Sequence, residues 1–233
     1  MARFVLVHGA SHGAWCWAKM IPRLRALGHE VTAIDLPGNG VNSPTTRDVT
    51  LADYREAVLA ALTPDTILVG HSFGGVSITL AAAASDQVRA LVYVASVLPE
   101  NGKRFADFRR ECIAPIVNEV TEPKDGFSVP RTDLCGPVFY SDCTPEDQAF
   151  ALHNMTPQPV SVMLEPMTFS TSDVPRHYVR CTRDQVVLPD YQRRITESWP
   201  KESVHELATG HSPFFSDVDG FVAVLDVIQA RTT

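Results

Sequence analysis

The chain has 233 residues, a length that suits one domain built around a single hydrophobic core. Apolar residues make up 45% of the sequence and charged residues 20%, which is typical of a globular protein and excludes a disordered one. The net charge of −7 argues against the basic face that a phosphate backbone requires, so no nucleic-acid partner is expected.

Two further features concern location and metal binding. The first apolar run, residues 4–7, is too short for a secretory signal or a membrane span, so we expect neither a leader nor a membrane partner. The five cysteines are scattered without a C-x-x-C pair, which indicates neither a disulfide framework nor a zinc site. We therefore expect free thiols, no metal and a cytoplasmic location.

Short β-branched runs alternate with helical patterns through the first hundred residues. The predicted strands are residues 3–7, 30–34, 66–69 and 90–95. The predicted helices between them are residues 13–27, 51–62 and 73–84. Continuously apolar strands that alternate with helices indicate a parallel sheet covered on both faces. The predicted fold class is therefore α/β, with a mostly parallel, doubly wound sheet.

The alternation stops at about Pro99 and resumes after Asp173. An irregular loop of this length is uncommon inside a compact domain, so we predict a small helical cap over the sheet's carboxyl edge. Beyond it we predict strands at residues 177–181 and 203–207 and helices at residues 190–198 and 220–230. The predicted organisation is thus a core of residues 1–98 and 174–233 with a cap of residues 99–173.

A candidate nucleophile lies in the sequence Gly70-His71-Ser72-Phe73-Gly74, which fits the pattern Gly-x-Ser-x-Gly. The pattern is common by chance, but here it separates an apolar strand from a small-residue helix, the context of a nucleophile elbow. We expect the two glycines to remove side chains that would collide with the serine in its strained turn. We therefore predict that Ser72 is the nucleophile; a helix N-cap serine is the alternative.

A serine hydroxyl needs a base to take its proton and a third group to orient that base. In nucleophile-elbow enzymes the acid and then the histidine follow the serine in the chain. Asp184 and His211 directly follow the last two predicted strands, so we predict them as orienting acid and base. Asp35 ends the second strand and is the main alternative acid, although it precedes the serine.

The charge that develops on the acyl oxygen usually meets two backbone N–H groups. One is predicted at Phe73, directly after the nucleophile, and the other at Ala10, in the loop after the first strand. We expect His8 to order that loop and His71 to support the site from a position pointing away from Ser72. The candidate substrate-binding residues are Ser11, His12, Trp15, Val97, Leu98, Phe139 and Phe214.

These motifs are similar to those of the α/β-hydrolase superfamily, and within it to the plant methylesterase and hydroxynitrile lyase group and related bacterial serine esterases. Residues 5–17 resemble the group's opening motif, residues 28–36 its second strand and residues 96–99 its entry to the cap. Residues 184–189 and 210–211 resemble its acid and base loops. The resemblance implies a cofactor-free serine triad beneath a lid, acting on a small methyl or aryl ester or a carbamate.

Two positions distinguish the branches of this group. The lyases resemble one another in a threonine after the first histidine and a lysine after the catalytic histidine, where this sequence has Gly9 and Ser212. A serine cannot supply the cation that receives developing cyanide charge. We therefore predict a serine esterase that forms an acyl-enzyme with a small-molecule ester. The alternatives are a hydrolase-like ligand receptor with slow turnover and a hydroxynitrile lyase.

Overall fold

The structure, a computed structural model, describes residues 1–40, 46 and 48–232. Its strands in chain order are β1 (Arg3–Val7), β2 (Glu30–Ile34), β3 (Thr66–His71), β4 (Val88–Val94), β5 (Thr121–Lys124), β6 (Phe127–Pro130), β7 (Gln158–Pro159), β8 (Arg176–Cys181) and β9 (Val204–Leu207). Its α-helices are α1 (Met20–Ala26), α2 (Leu51–Leu59), α3 (Gly74–Ala82), α4 (Phe105–Cys112), α5 (Thr132–Phe139), α6 (Pro145–Asn154), α7 (Ser161–Leu164), α8 (Pro189–Ile195), α9 (Pro213–Ser216) and α10 (Val218–Arg231).

Six strands form the main sheet, in the order β2-β1-β3-β4-β8-β9, and every neighbouring pair is parallel. All six residues of β3 are buried, although successive side chains point to opposite faces. Both faces are therefore covered: α1 packs against α10, and α2 packs against α3. The predicted doubly wound parallel sheet is confirmed, and it places the carboxyl ends of β1, β3, β8 and β9 at one edge.

The predicted helix over residues 13–27 is divided in the structure. A 3-10 helix spans Ala14–Trp17, and α1 begins only at Met20. Pro22 explains the break, because a proline is tolerated in the first turn of a helix but clashes with the preceding turn in a helix interior. The other predicted elements of the main sheet and its helices are present, with ends that differ by a few residues.

The segment of residues 99–173 lies between β4 and β8, which are neighbours in the sheet. It holds the helices α4 to α7, as predicted, but also a small antiparallel sheet in the order β5-β6-β7. The prediction of a helical layer did not include this small sheet. Strands of two to four residues are too short for a periodic pattern to reveal, and β5 is mostly exposed and polar.

The hydrophobic core is continuous from the main sheet into the inserted segment. The five cysteines, all within the described residues, are buried and form no disulfide bond. Across the described residues, no helix combines the length and the apolar character needed to cross a membrane.

Candidate active site

Ser72 lies in the turn between β3 and α3 with a φ of +52°, a conformation that non-glycine residues rarely adopt. The end of β4 holds this turn in place. Ser72 N donates to Val94 O at 3.0 Å, and Ser96 Oγ donates to Ser72 O at 2.6 Å. The strain is therefore sustained by a neighbouring strand, which is typical of functional positions.

Close backbone packing explains the glycines that flank the serine. A Cβ on Gly70 would lie 2.8 Å from Gly74 O, and a Cβ on Gly74 would lie 2.5 Å from His8 O. Both distances are shorter than any real Cβ contact, so the turn requires glycine at both positions. The predicted need for glycine agrees with this, but the collisions are with the start of α3 and the end of β1 instead of Ser72 itself.

His211 and Asp184 form a buried pair below the turn. His211 Nδ1 donates to Asp184 Oδ2 at 2.9 Å, and at most 1% of either side chain is exposed. Asp184 Oδ1 accepts hydrogen bonds from the backbone of Val186 at 2.7 Å and Val187 at 3.0 Å, and Oδ2 accepts one from Gln192 Nε2 at 3.1 Å. These donors fix the carboxylate, which in turn holds the ring with Nδ1 protonated and leaves Nε2 as the basic nitrogen.

The alternative acid, Asp35, takes part in a different contact. Its Oδ1 accepts a hydrogen bond from Ala14 N at 2.6 Å and so supports the loop that follows β1. The geometry therefore pairs His211 with Asp184.

His71 supports the loop that carries His211. Its Nε2 donates to His211 O at 2.8 Å, and the two rings are 4.5 Å apart. Burial lowers the pKa of His71 well below its ordinary value, with the nearby His211 as a further cause, so the ring is neutral. Sequence analysis anticipated this supporting position, but not that His71 also lines the cavity beside Ser72.

Ser72 and His211 line the same cavity as Ala10 and Phe73. Ser72 Oγ makes no hydrogen bond to the His211 ring in this structure; such contacts often tighten only when substrate is bound. Neither the N–H of Ala10 nor that of Phe73 donates to another described residue. Two backbone donors beside a serine are the arrangement that can stabilise an oxyanion.

The loop after β1 passes close to the serine. A Cβ on Gly9 would lie 2.8 Å from Ser72 Cβ and 3.0 Å from His71 Nδ1, so only glycine fits there. His8 fixes the loop from the other side: its Nε2 accepts a hydrogen bond from Leu36 N at 3.0 Å, and its Nδ1 donates to Gly9 O at 2.7 Å. The ordering role predicted for His8 agrees with these contacts.

Residues of the inserted segment complete the support of this loop. Ser11, at a φ of +62°, donates its N–H to Gln158 Oε1 at 3.1 Å and accepts a hydrogen bond from Thr156 N at 3.0 Å. Gln158 Nε2 donates in turn to Tyr54 OH at 3.0 Å. Gln158 could not be predicted, because nothing in the sequence around it indicates that its buried side-chain amide reaches the loop after β1.

The cavity has a volume of about 80 Å³, which is room for several waters or part of a small ligand. Of the predicted substrate-binding residues, Ser11, Val97 and Phe139 line it. The residues that sequence analysis missed come mostly from the inserted segment: Phe105, Arg109, Ile113, Val117, Thr121, Ser128, Gln158, Met163 and, beyond the segment, Val186.

Four predicted substrate-binding residues lie outside this lining, and the structure does not support them as pocket residues. His12 is buried, with Nδ1 donating to Ala10 O and Nε2 bound to Tyr140 OH, each at 2.8 Å. Trp15 stacks on His12 with ring centroids 5.2 Å apart, and Phe214 packs 4.9 Å from the ring of His71. Leu98 is anchored through its backbone N–H, which donates to Tyr191 OH at 3.1 Å.

In the parts of the chain that the structure describes, no group of three or more His, Cys, Asp or Glu side chains could hold a metal ion. The groups available at the cavity are thus a hydroxyl, an imidazole oriented by a carboxylate, and two backbone N–H donors.

Comparison with known proteins adds to this geometry. Residues 4–224 match the alpha/beta hydrolase family. The chain is 34% identical over 250 residues to methylesterase 7 from Arabidopsis thaliana, covering 96% of this chain and 94% of that protein. The solved structure of a methylesterase protein from Arabidopsis superposes with a TM-score of 0.83 at 27% identity, covering 99% and 100% of the two chains. A pyrethroid hydrolase from Sphingobium faniae JZ-2 superposes with a TM-score of 0.82 at 25% identity, covering 98% of each chain.

Proposed function

Because the chain belongs to the α/β-hydrolase family and is a carboxylic ester hydrolase, we propose that it cleaves a small ester through an acyl-enzyme formed on Ser72. The observation that supports this proposal is one cavity lined by Ser72, His211, Ala10 and Phe73, with Asp184 bound to the far side of the imidazole. A hydroxyl, a base and two oxyanion donors at one wall are the parts that acyl transfer requires.

In the proposed mechanism, His211 Nε2 takes the proton of Ser72 as Oγ attacks the acyl carbon. The N–H groups of Ala10 and Phe73 stabilise the negative oxygen of the tetrahedral intermediate. His211 then gives the proton to the departing alcohol, and the acyl group stays on Ser72. A water molecule, deprotonated by the same imidazole, attacks the acyl-enzyme and releases the acid. Asp184 holds the tautomer of His211 throughout.

We further propose that residues 99–173 act as a cap on a core of residues 1–98 and 174–233. The support is that this segment supplies most of the cavity lining remote from the triad, including Phe105 and Met163. The methylesterase relatives favour a methyl ester or another ester with a small alcohol as substrate.

The lyase alternative is disfavoured by Ser212 and Gly9. The Ser212 side chain is buried and donates its hydroxyl to Phe139 O at 2.8 Å, so this position presents no cation to the cavity. A threonine in place of Gly9 would collide with Ser72 and His71 as the backbone stands.

The test is 4-nitrophenol release from 4-nitrophenyl acetate, followed from milliseconds onward for the wild type, Ser72→Ala and two matched aspartate variants. We expect Ser72→Ala to lower turnover by about three orders of magnitude or more. Asp184→Asn should lower it by about four orders, because the imidazole loses its tautomer. Asp35→Asn is the control and should retain most activity, since an asparagine oxygen still accepts from Ala14 N.

Near-normal turnover by Ser72→Ala would contradict the proposal. A single burst from the wild type that then stalls would instead favour the receptor alternative, a protein that keeps its acyl group.

A further inference from the structure

Arg109 brings a positive charge to an otherwise uncharged part of the cavity. It lies on α4 one turn after Phe105, and both side chains line the cavity. Phe105 packs edge to face on Phe73, with ring centroids 5.2 Å apart, so this face of α4 adjoins the nucleophile turn. Arg109 is half-buried.

The guanidinium of Arg109, like that of the exposed Arg110, has no anionic partner among the described residues, whereas other charged groups at α4 are paired. Arg104 pairs with Asp107 at 2.6 Å, and Glu111 pairs with Arg194 at 3.1 Å. Burial lowers the pKa of Arg109 from its ordinary value, and only the Cys112 thiol acts in the other direction. An arginine nevertheless stays protonated near neutral pH, so a partly desolvated cation stands without a counter-ion.

No other charged group of the lining compensates this cation. The titratable side chains among the described lining residues are His71, His211 and Arg109, with no Asp or Glu. The cavity lining that Arg109 shares includes the apolar residues Ile113, Val117 and Val186. A cation against apolar walls attracts anions strongly, because the local dielectric constant is low.

We propose that Arg109 binds a carboxylate of the substrate, so that the preferred substrate is an ester bearing a free carboxylate away from the scissile bond, as in a monoester of a dicarboxylic acid. This inference rests on the proposed acyl transfer at Ser72. The planar guanidinium can donate two parallel hydrogen bonds to such a carboxylate. The acyl chain would then lie along the apolar wall between Arg109 and the nucleophile turn.

The experiment compares two series of methyl esters matched in acyl chain length: monomethyl esters of dicarboxylic acids from succinic to pimelic, and methyl alkanoates. Methyl esters are chosen because methoxide is a poor leaving group, so the substrate's own carboxylate does not displace it without the enzyme. Initial rates are measured for the wild type, Arg109→Gln, Arg109→Lys and Arg110→Gln. Arg110 is the matched control, since it is the next residue of α4, carries the same charge and is exposed outside the lining.

At the best chain length we expect kcat/KM to favour the anionic ester about tenfold or more, the selectivity that a charge-assisted bidentate contact supplies. Arg109→Gln should lower kcat/KM for that ester about 10- to 100-fold and change the neutral ester less than about threefold. Arg109→Lys should retain part of the preference, and Arg110→Gln all of it. Added salt should raise KM for the anionic series alone.

Two controls separate this inference from the proposed function. Hydrolysis of 4-nitrophenyl acetate by the wild type tests acyl transfer alone. Calorimetric binding of the monomethyl esters to Ser72→Ala, with and without Arg109→Gln, tests the carboxylate contact without turnover. Loss of that binding with Arg109→Gln supports the inference whatever the esterase assay shows. Equal binding by the two proteins, no binding by either, or equal rate losses for both ester series overturns it.

Discussion

Gly9 lies in the loop after β1, where an added Cβ would be 2.8 Å from Cβ of the proposed nucleophile, Ser72. Ser72 sits in a strained turn fixed by β4, and His71 is fixed by its bond to the backbone of His211, so neither can yield. The N–H of Ala10, one residue further on, can reach a developing oxyanion only if the loop keeps this close approach. The proposed oxyanion hole therefore depends on the absence of a side chain at Gly9 as much as on the two N–H donors.

We predict that Gly9→Ala lowers kcat/KM for 4-nitrophenyl acetate by about 10- to 100-fold, because a displacement near 1 Å at the reacting centre has that effect. Circular dichroism should show an intact fold. Gly28→Ala is the matched control: Gly28 has a φ of +83° and no atom within 4 Å of an added Cβ. It should lose about 1 kcal/mol of stability and keep its activity. Full activity of Gly9→Ala would contradict this account of the hole.

Single residues differ in how far the sequence predicts them. Ser72, Asp184 and His211 each follow a predicted strand, and the carboxyl ends of parallel strands meet at one edge, so chain order alone indicates their convergence. Arg109 and Gln158 carry no such signal, because their place at the cavity depends on how the inserted segment packs. His12 and Phe214 lie outside the cavity lining, because proximity in sequence to a loop of the site does not tell which side of it a side chain occupies.

Among the elements, the inserted segment forms hydrogen bonds with two of the loops that build the candidate site. Gln158 and Thr156 hold Ser11 in the loop after β1. Asp142 Oδ2 accepts a hydrogen bond from Gly210 N at 2.6 Å, next to the base. The segment therefore positions the site as well as lining its cavity.

We predict that Gln158→Leu lowers kcat by about tenfold or more with a smaller change in KM, since it removes the hydrogen bond to Ser11 that orders the loop of the proposed oxyanion donor Ala10. Tyr54→Phe is the comparison. It removes only the far end of this network and leaves the bond from Ser11 to Gln158. We expect it to change kcat less than about threefold. Equal losses in the two variants would indicate a general effect on folding.

The elements of the inserted segment are the least predictable part of the fold. The hairpin of β5 and β6 is the exception, because the sequence of its turn predicts it. Asp125 and Gly126 join β5 to β6 with φ values of 50° and 85°, the two-residue turn with both residues at positive φ. An Asp-Gly dipeptide between two short strands is a strong hairpin signal. The partner β7, only two residues long and far along the chain, has no comparable signal.

At the scale of the whole molecule, several buried histidines link stability to pH, among them His177 on β8, whose pKa is lowered by burial to about 4. His8, His12 and His71 are buried at the site, and desolvation lowers the pKa of each, in the case of His12 from 6.5 to about 3. Each ring stays neutral in the folded protein at a pH where the unfolded chain takes up a proton. Folding is therefore most favoured above the unfolded pKa, and stability falls as pH drops below it.

We predict that the free energy of unfolding falls as the pH drops from 6.5 to 5, with His12, whose folded pKa is about 3, contributing about 1.4 kcal/mol per pH unit. Urea unfolding at several pH values measures this slope. In His12→Gln the protein should be less stable at neutral pH, because the bond to Tyr140 is weakened. Its free energy of unfolding should nevertheless change less steeply with pH than that of the wild type, by the slope that corresponds to one bound proton. Identical slopes would contradict the linkage.

The central claim is that Ser72 carries the acyl group during turnover, and trapping that intermediate tests it most directly. The wild type and Ser72→Ala are mixed with 4-nitrophenyl acetate, quenched in acid within milliseconds and digested. The masses of the resulting peptides are then measured by mass spectrometry. We predict that the wild-type peptide containing Ser72 gains the mass of one acetyl group, which disappears once the substrate is consumed, and that Ser72→Ala gains nothing there. Turnover by the wild type with no acetyl group on that peptide, or with the group on another residue, would contradict the claim.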